Sequence, residues 1–414
     1  MLRTLTPLAL AILCSHANAA FFDDSKASVE ARNFYFNRDF RQHAAPQAKS
    51  EEWAQGFILR YESGFTEGSL GFGVDAIGLL GLKLDSSPER SGSGLLQRDR
   101  EAPKRARDSS SDLGLTAKVR ASNSVLKVGT LLPKLPVLMA NDSRLLPQMF
   151  EGGQLNIQEI THLNIDLGQI RQVNQRDSQD YEDMGITTTG AKNIVVRRTG
   201  TDRFDFGQLA WKWSDSLGTS YSYGGLDNFY RQHMLGLNHT LALGSGQTLK
   251  SDIRFARSVD DGGSNIDNKA LGAMFTYGLN DHAFGLGYQR MSGDTGFAYI
   301  NGADAWLVNF VQIGDFASKN ERSWQARYDF NFASVGVPGL TFMTRYLSGD
   351  NVDLGTGRPQ GKEWERDMDI GYVIQSGPLK NLGVKWRNAT VRSSHFGSDL
   401  DENRLILSYT LALW

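Results

Sequence analysis

The sequence predicts an all-β protein, a transmembrane antiparallel β-barrel of about eighteen strands, and three observations support that fold class. Apolar and polar residues alternate with a period of two through most of the chain, which is typical of strands with two unlike faces. After residue 19, no segment approaches the roughly 20 consecutive apolar residues of a membrane-spanning helix. Short and long connections alternate between the predicted strands, as they do in outer-membrane barrels.

The clearest strand pair runs from Arg322 to Leu347. Between Ser323 and Phe332 the even positions are apolar and the odd positions are polar. The connection SVGVPG leads into a second alternating run, so the segment is predicted to form a hairpin. Its apolar face carries large aromatic side chains and its other face carries arginines. These faces fit either a soluble sandwich or a barrel with a lipid-facing surface and a wet lumen, and the rest of the chain decides between them.

Residues 1–19 are predicted to be a secretory signal peptide, followed by one barrel domain over residues 20–414. The first segment has a basic residue, an apolar block and the sequence ANA, which resembles a cleavage site. The single cysteine lies within it, so the exported chain would be stable without disulfide bonds. The remaining 43 basic and 46 acidic residues nearly balance, which argues against a nucleic-acid-binding protein.

In the first part of the chain, alternation predicts strands over 53–62 and 69–80, joined by GFTE, and then over 112–120 and 126–128. The charged segment 85–110 is expected to be an exposed loop. Residues 131–153 contain prolines and are too long for a hairpin turn, yet too apolar for a solvated loop. We therefore expect this segment to fold against the rest of the protein. Residues 154–160 and 163–168 complete this part as two further strands.

In the second part, a polar loop over residues 173–202 precedes a series of alternating strands. These are predicted around 209–213, 220–223, 235–238, 249–255, 271–277, 284–288, the hairpin described above, 367–372, 384–387 and 405–413. Residues 294–321 count as one long loop, which leaves an even number of strands with both chain ends on the short-turn side. The chain ends in Trp414, although this aromatic residue is out of phase with the apolar face of the last strand.

The alternation also places basic side chains on the polar face of the predicted strands. They are Arg60, Lys118, Arg120, Lys127, Lys212, Arg254, Arg327, Arg345, Lys385, Arg387 and Arg404. A carboxylate that enters a narrow wet passage loses hydration, and such cations can replace the lost water. Alternatively, the cations pair with lumen acids such as Glu62, Asp252 and Asp329 and only support the wall.

Five segments of the chain resemble the OprD family of outer-membrane substrate-specific porins, and together they span nearly the whole length after residue 19. They are ARNFYFNRD at 31–39, FTEGSLGFGVDAIGLLGLKLD at 65–85, DSRLLPQ at 142–148, SWQARYDFNFASVGVPGLTFMTRYLSGD at 323–350 and the ending NRLILSYTLALW. The resemblance implies eighteen strands, a narrow constriction and a row of basic residues that guides small carboxylate-bearing solutes. Within the family, DSRLLPQ, EWERDMDI and SYTLALW are more similar to the subgroup that takes aromatic and other monocarboxylates than to the basic amino-acid subgroup.

The resemblance places DSRLLPQ in a third extracellular loop that folds into the lumen and forms the constriction. The candidate constriction residues are Asp142, Ser143, Arg144, Glu151 and, in the later long loop, Asp315. They could form a selectivity ring opposite the basic wall. Equally, Asp142 and Arg144 could hold the loop to the barrel by hydrogen bonds. Leu145, Leu146 and Met149 are expected to pack under the loop rather than contact an aromatic solute.

Motifs for catalysis or for cofactors are lacking. The histidines are scattered and no H-E-x-x-H sequence occurs. The sequence GFGVDA at 71–76 lies within a strand and is not followed by a helix, so it does not predict a dinucleotide site. No catalytic residue, metal or cofactor is expected. The acid-rich segments 176–183 and 260–267 could bind calcium, but solvated loops are the more common explanation.

The expected function is therefore passive, selective uptake of small carboxylates, with benzoate-like acids favoured, across the outer membrane of a Gram-negative bacterium. Expected partners are these solutes, outer-membrane lipid and lipopolysaccharide, with no nucleic acid, and the barrel is expected to be a monomer or a labile trimer. One alternative is the same fold taking basic amino acids or small peptides. Others are a barrel enzyme that hydrolyses lipid or peptide, and a structural barrel or adhesin.

Overall fold

The computed structural model describes residues 21–42 and 47–414, which form a closed antiparallel barrel of eighteen strands. The strands are β1 Lys26–Phe40, β2 Lys49–Glu62, β3 Leu70–Asp85, β4 Ser109–Ala121, β5 Ser124–Leu131, β6 Met149–Ile157, β7 Leu163–Asn174, β8 Phe204–Lys212, β9 Leu217–Leu226, β10 Tyr230–Gly244, β11 Gln247–Asp260, β12 Asp267–Leu279, β13 His282–Ser292, β14 Arg322–Asn331, β15 Leu340–Val352, β16 Gly361–Val373, β17 Gly383–Ser394 and β18 Leu400–Ala412. Strand β1 pairs with both β2 and β18, which closes the barrel. The predicted fold class and strand number are thus confirmed, whereas the signal peptide predicted over residues 1–19 lies outside the described residues.

Connections of different length separate the two ends of the barrel. At one end the turns include the two-residue links 122–123, 245–246 and 280–281. The other end carries four long loops, which we number by their order at that end: L2 (86–108), L3 (132–148), L4 (175–203) and L7 (293–321). Because outer-membrane barrels have short periplasmic turns and longer extracellular loops, the long-loop end is the extracellular one.

The two faces of each strand differ as the alternation predicted. Outward side chains are apolar and solvent-accessible, as with Leu113, Leu286 and Trp324, which are 62%, 67% and 48% exposed. A ring of accessible apolar side chains this extensive is a lipid-facing surface. No helix in residues 21–42 and 47–414 is long and apolar enough to cross a membrane.

Loops that fold into the barrel supply much of its interior packing. One cluster joins Leu138 of L3 and Phe297 of L7 to wall residues that include Phe150, Phe204 and Tyr230. A second cluster joins Leu95 and Leu96 of L2 and Leu145 and Leu146 of L3 to the wall residues Phe34, Phe36 and Ile58. The prediction that Leu145, Leu146 and Met149 pack under the loop is therefore confirmed. The expectation that 85–110 is simply an exposed loop was wrong, because its leucine pair is buried inside the barrel.

Two inward glycines make room for L7 against the wall. A Cβ atom on Gly236 would lie 2.9 Å from the Trp306 ring, and one on Gly272 would lie 2.9 Å from Val308 Cγ2. The missing side chains allow this part of L7 to lie directly on β10 and β12. Asn309 then donates to Ser323 on β14, which holds the loop at the wall over several strands.

Candidate functional site

The tip of L3 is bound to the barrel wall through Arg32 on β1. Its guanidinium contacts Glu30 at 2.7 Å and Asp142 at 2.8 Å and donates to the main-chain carbonyl of Arg144. The Asp142 side chain remains 45% exposed. Asp142 therefore anchors the loop and also presents a carboxylate to the lumen, so both interpretations of this residue are compatible with its position.

A second binding point connects L3 and L7 to the same part of the wall. Arg404 on β18 donates to the carbonyl of Ser143 in L3 at 3.4 Å and to that of Gln312 in L7 at 3.2 Å. It is fixed by Glu402, whose other oxygen accepts from Arg38 on β1. Neighbouring strands bring these three charged side chains together, because positions 402 and 404 pair with positions 38 and 36.

Three guanidinium groups surround one aromatic ring at this point. The guanidinium carbons of Arg38, Arg144 and Arg404 lie 5.4, 5.1 and 5.7 Å from the centroid of Phe36. Glu402 is the one carboxylate that ion-pairs with any of these three arginines in the described part of the chain. The cluster therefore carries excess positive charge at the junction of the wall with L3 and L7, and such a field attracts anions.

A fourth arginine and an aspartate complete the contact between the loops. Arg176 of L4 donates to Asn141 Oδ1 at 2.7 Å and to Ser143 Oγ, both in L3. Asn141 Nδ2 donates in turn to Asp304 Oδ1 of L7 at 2.5 Å. Burial raises the pKa of Asp304 to about 6, although the nearby Arg176 opposes the shift. The charge of this junction therefore changes within an ordinary pH range.

L7 is also held to the wall through its own main-chain N–H groups. Glu365 on β16 accepts from the backbone N–H groups of Ile313 at 2.9 Å and Gly314 at 2.7 Å. Its side chain is fully buried. A buried carboxylate needs such donors, because leaving its oxygens unpaired away from water is costly. L7 is thus held at β14 by Asn309, at β16 by Glu365 and at β18 by Arg404.

The predicted basic residues all lie on inward positions, and most of them have an acidic partner. Five form pairs along the wall: Arg60 with Glu30, Arg254 with Asp252, Arg327 with Asp329, Arg345 with Asp367 and Arg387 with Asp369. The sequence had suggested Asp252 and Asp329 as such partners. Each guanidinium has five N–H donors, so pairing with one carboxylate leaves donors available to a solute.

Three inward cations near the short-turn end, Arg120, Lys250 and Lys385, form no ion pair within the described residues. All three are exposed. Arg120 stacks on the ring of Phe65, with 4.5 Å between its guanidinium carbon and the ring centroid. Lys127, on the neighbouring strand, is only loosely paired with Asp75 at 3.6 Å. The positive charge here is therefore more accessible than in the wall pairs.

Several candidate residues have positions that do not suit solute contact. Arg404 and Lys118 are buried, with side chains 1% and 6% exposed. Lys118 pairs with Asp75 and donates to the carbonyl of Ser63, so it supports a turn. Glu151 was wrongly placed in the loop, because β6 begins at residue 149 and Glu151 is an exposed strand residue.

Asp315 lies in L7, as predicted, but it binds another loop rather than the open passage. Its carboxylate pairs with Lys192 of L4 at 2.6 Å and accepts from the Tyr299 hydroxyl at 2.9 Å. Lys192 is 1% exposed. Asp315 thus holds L4 against L7. Lys212 lies at the short-turn end and pairs with Asp215.

Sequence reasoning missed Arg32, Arg38 and Arg176. The first two lie in ARNFYFNRD, where alternation over 30–38 could have assigned them to the inward face together with Phe34 and Phe36. Arg176 lies in an irregular loop, where no periodicity indicates the direction of a side chain. Its contact with L3 depends on the folded path of both loops.

The acid-rich segments do not form a metal site in the described part of the chain. In 260–267, Asp260 accepts from the backbone and hydroxyl of Ser264, and Asp267 pairs with Arg257. In 176–183, Asp180 pairs with Arg100. These three carboxylates thus have partners in the protein itself.

Comparison with known proteins is consistent with this geometry. Residues 19–413 match the family model described as outer membrane porin, OprD family. The chain is 38% identical to Porin-like protein GalP of Pseudomonas putida over 401 residues, which covers 95% of this chain and 93% of that protein. The crystal structure of Pseudomonas aeruginosa OpdQ is similar with a TM-score of 0.88 and 66% identity, covering 96% of this chain and all of that one.

The crystal structure of Pseudomonas aeruginosa OpdK with vanillate is also similar, with a TM-score of 0.87 and 37% identity over 95% of this chain and all of OpdK. The family and these relatives are porins rather than enzymes. The chain belongs to the OprD family of substrate-specific outer-membrane porins.

Proposed function

We propose that this porin takes up small carboxylate-bearing solutes, with aromatic monocarboxylates favoured. The observation that carries the proposal is the cluster of Arg38, Arg144 and Arg404 around Phe36, which has a single paired carboxylate in Glu402. Arg176 adds a fourth guanidinium at the same loop junction. An anion that approaches the constriction therefore gains an attraction that a cation does not.

The two arginines at this loop junction that remain accessible are the best candidates for direct contact. The Arg38 side chain is 23% exposed, and Arg176 is partly exposed. Arg404 is buried and acts on the solute only through its charge and through the loops it positions. We therefore replace Arg404 and Lys118 by Arg38 and Arg176 in the proposed solute-contacting set.

Below the constriction, basic side chains continue at spacings suited to transfer from one site to the next. Arg387 and Lys385 are successive inward positions on β17, about 7 Å apart for a strand rising 3.3 Å per residue. Arg327 and Arg345 face each other on β14 and β15. Several weak sites release a solute more readily than one deep site, because conduction requires that binding be reversible at each step.

The passage also has room for an aromatic acid. Two cavities of about 370 and 420 Å³ share Asp75, Lys127 and Gln154 among their lining residues. Phe65 lines the second cavity, and its ring already stacks with Arg120. A flat aromatic carboxylate could stack on such a surface while its charge meets Lys127 or Arg120. Vanillate, bound in the OpdK structure, is a molecule of this class.

Uptake of basic amino acids would need accessible acids that lack basic partners. The inward acids of β16 are already engaged, since Asp367 and Asp369 pair with arginines and Glu365 binds L7. The acids of this strand therefore offer a cationic solute little negative charge that is not neutralised. Along β16, this arrangement favours carboxylates over basic amino acids.

Selectivity in planar bilayers tests the proposal. With a KCl gradient, the reversal potential of the wild-type channel should show anion preference, and benzoate should enter proteoliposomes faster than arginine. Arg176→Gln should reduce the anion-to-cation permeability ratio roughly fivefold, the equivalent of about 1 kcal/mol for one partly screened charge. The glutamine can still donate to Asn141 and Ser143, so the loop contact is retained.

Arg203→Gln is the matched control. Arg203 ends the same loop L4, is exposed and pairs with Asp205, whose strand position faces outward. The control removes the same charge without altering the passage and should leave the permeability ratio unchanged. A wild-type channel that prefers cations, or that admits arginine as fast as benzoate, would contradict the proposal.

A further inference from the structure

The outer surface of the barrel carries an uneven distribution of charge. On β12, β13 and β14, the outward basic residues are Lys269, Arg290 and Arg322, which we call the rim triad. All three lie at the long-loop end of their strands and are exposed. At the opposite end, the outward positions are aromatic, apolar or histidine, among them Tyr277, Phe284 and Phe330.

Members of the rim triad lie close together despite their like charges. Arg290 and Arg322 are direct cross-strand partners, so their Cβ atoms are about 5 Å apart. Lys269 is paired with Ser292, two residues from Arg290, and is therefore the diagonal neighbour of Arg290. Like charges placed directly opposite each other destabilise a sheet. Such an arrangement calls for a counter-charge from outside the chain.

Among the described residues, the chain provides no ion-paired counter-charge for the triad. On the neighbouring strands at this rim, Arg231 pairs with Asp261 and Arg257 pairs with Asp267, and no member of the triad takes part in an ion pair within the described residues. Asp350 is opposite Arg322 on β15, but no carboxylate oxygen lies within the 4.0 Å of an ion pair. Three cations thus remain for an external anion.

The level of the triad in the membrane indicates what kind of anion this is. Two residues toward the middle of the barrel lie Tyr288 and Trp324, which are direct cross-strand partners. The Trp324 ring lies 5.6 Å from that of Tyr346, which continues the band. Aromatic girdles lie at the membrane interface, and the apolar residue Leu286 follows at greater depth. The triad is therefore at headgroup level in the outer leaflet.

We infer that the rim triad is a binding site for the phosphate groups of lipopolysaccharide, with the acyl chains lying against the apolar outer face of β12–β14. Arginine suits this role because its planar guanidinium can bind phosphate oxygens with two hydrogen bonds. The aromatic band below the triad provides the contact surface for the sugar and upper acyl region. This inference concerns the lipid face only and does not depend on which solute the channel carries.

Binding of lipid A to the purified, folded protein in detergent tests the inference. Labelled lipid A with both phosphates should bind the wild type, and the triple variant K269Q/R290Q/R322Q should bind on the order of a hundredfold more weakly, as expected for three surface cations. The variant K104Q/K212Q/K380Q is the matched control, because it removes the same charge from a loop, the inward end of a strand and a turn, all away from the lipid face. It should bind lipid A as the wild type does.

Thermal unfolding is a second measurement, in which the rim-triad variant should lose no stability when lipid is absent. Without lipid A, the rim-triad variant should unfold at the wild-type temperature or above it, since like-charge repulsion is removed. With lipid A, only the wild type and the control should gain stability. Unchanged ion conductance will show that the variant is folded.

Three outcomes would overturn the inference. The first is equally tight binding of lipid A by the rim-triad variant. The second is equal binding of dephosphorylated lipid A, which would indicate that acyl chains alone are recognised. The third is equal binding of phosphatidylglycerol, which would indicate a general anionic headgroup site instead of one for lipopolysaccharide.

Discussion

Asp304 is the residue whose charge most directly alters the constriction within a moderate pH range. Its pKa is raised to about 6 by burial, and it accepts a hydrogen bond from Asn141 of L3, which in turn accepts one from Arg176. Its folded pKa is above the ordinary value, so the folded protein holds this proton more tightly than the unfolded chain does. The corresponding stability is present at low pH and is lost as the pH rises toward 6 and beyond.

The same titration should alter selectivity. When the pH falls from about 7 to 5, Asp304 becomes neutral, the junction gains net positive charge, and the anion preference of the reversal potential should increase. Asp304→Asn should show the high anion preference at both pH values. If the variant retains the full pH dependence of the wild type, other groups cause it and Asp304 does not.

Residue-level roles were only partly predictable from sequence. Alternation correctly placed Arg327, Arg345 and Arg387 on the inward face, because a strand fixes the direction of each side chain by parity. Parity does not determine exposure. Arg387 remains 21% exposed, whereas Arg404, its direct cross-strand neighbour, is covered by two loops and is 1% exposed. Only the folded positions of L3 and L7 separate these two arginines.

Among the elements, L7 depends on the shape of the wall beneath it. A side chain at Gly272 would collide with Val308, since its Cβ atom would lie 2.9 Å from Cγ2. Gly272→Leu should therefore displace this part of L7 toward the lumen and lower the single-channel conductance. If the substitution loosens the loop, the same bilayer recording should also show increased current noise.

Gly78→Leu is the control for that experiment. Gly78 faces outward on β3, and a Cβ atom there would make only ordinary contact with Leu59, at 3.5 Å. The conductance of this variant should equal that of the wild type. An unchanged conductance in Gly272→Leu would show that L7 does not depend on the bare surface at this position.

The boundaries of strands were predictable where the alternation of apolar and polar residues continued over many positions, and they were less predictable next to the loops. The hairpin of β14 and β15 was clear, because ten residues alternate without interruption before the turn. Segment 131–153 was recognised as something other than a turn, but its last residues are part of β6, which is why Glu151 was misplaced. L2 was misjudged because charged residues surround Leu95 and Leu96, and composition does not show that two leucines point inward.

At the scale of the whole molecule, the closed sheet brings charges from distant parts of the chain close together, so that they create one combined electrostatic field. Arg38 and Glu402 are 364 residues apart in sequence and form a salt bridge of 2.5 Å because β1 and β18 close the barrel. Exposed charges such as Arg120 and Lys385 add to this field at the short-turn end. No local window of the sequence contains this information, although the strand count implied that the first and last strands meet.

The anion preference that this field causes should have one part that salt screens and one part that salt does not screen. Screening shortens the Debye length from about 10 Å at 0.1 M salt to about 3 Å at 1 M. The anion preference measured from reversal potentials should fall as the salt concentration rises, since the exposed cations lose their influence. A smaller preference should persist at high salt, because the arginines around Phe36 are largely shielded from solvent ions. A preference that does not change with salt would indicate that the exposed cations make no contribution.

The attachment of L7 through Glu365 bears on how channels of this kind diverge. Glu365 binds main-chain N–H groups of residues 313 and 314, and every residue except proline supplies such a group. A Cβ atom on Gly314 would lie 2.9 Å from Glu365 Oε2, so the attachment tolerates side-chain changes at residue 313 but not at residue 314. Selection can therefore change the side chain at residue 313 while residue 314 stays glycine and the course of the loop is inherited.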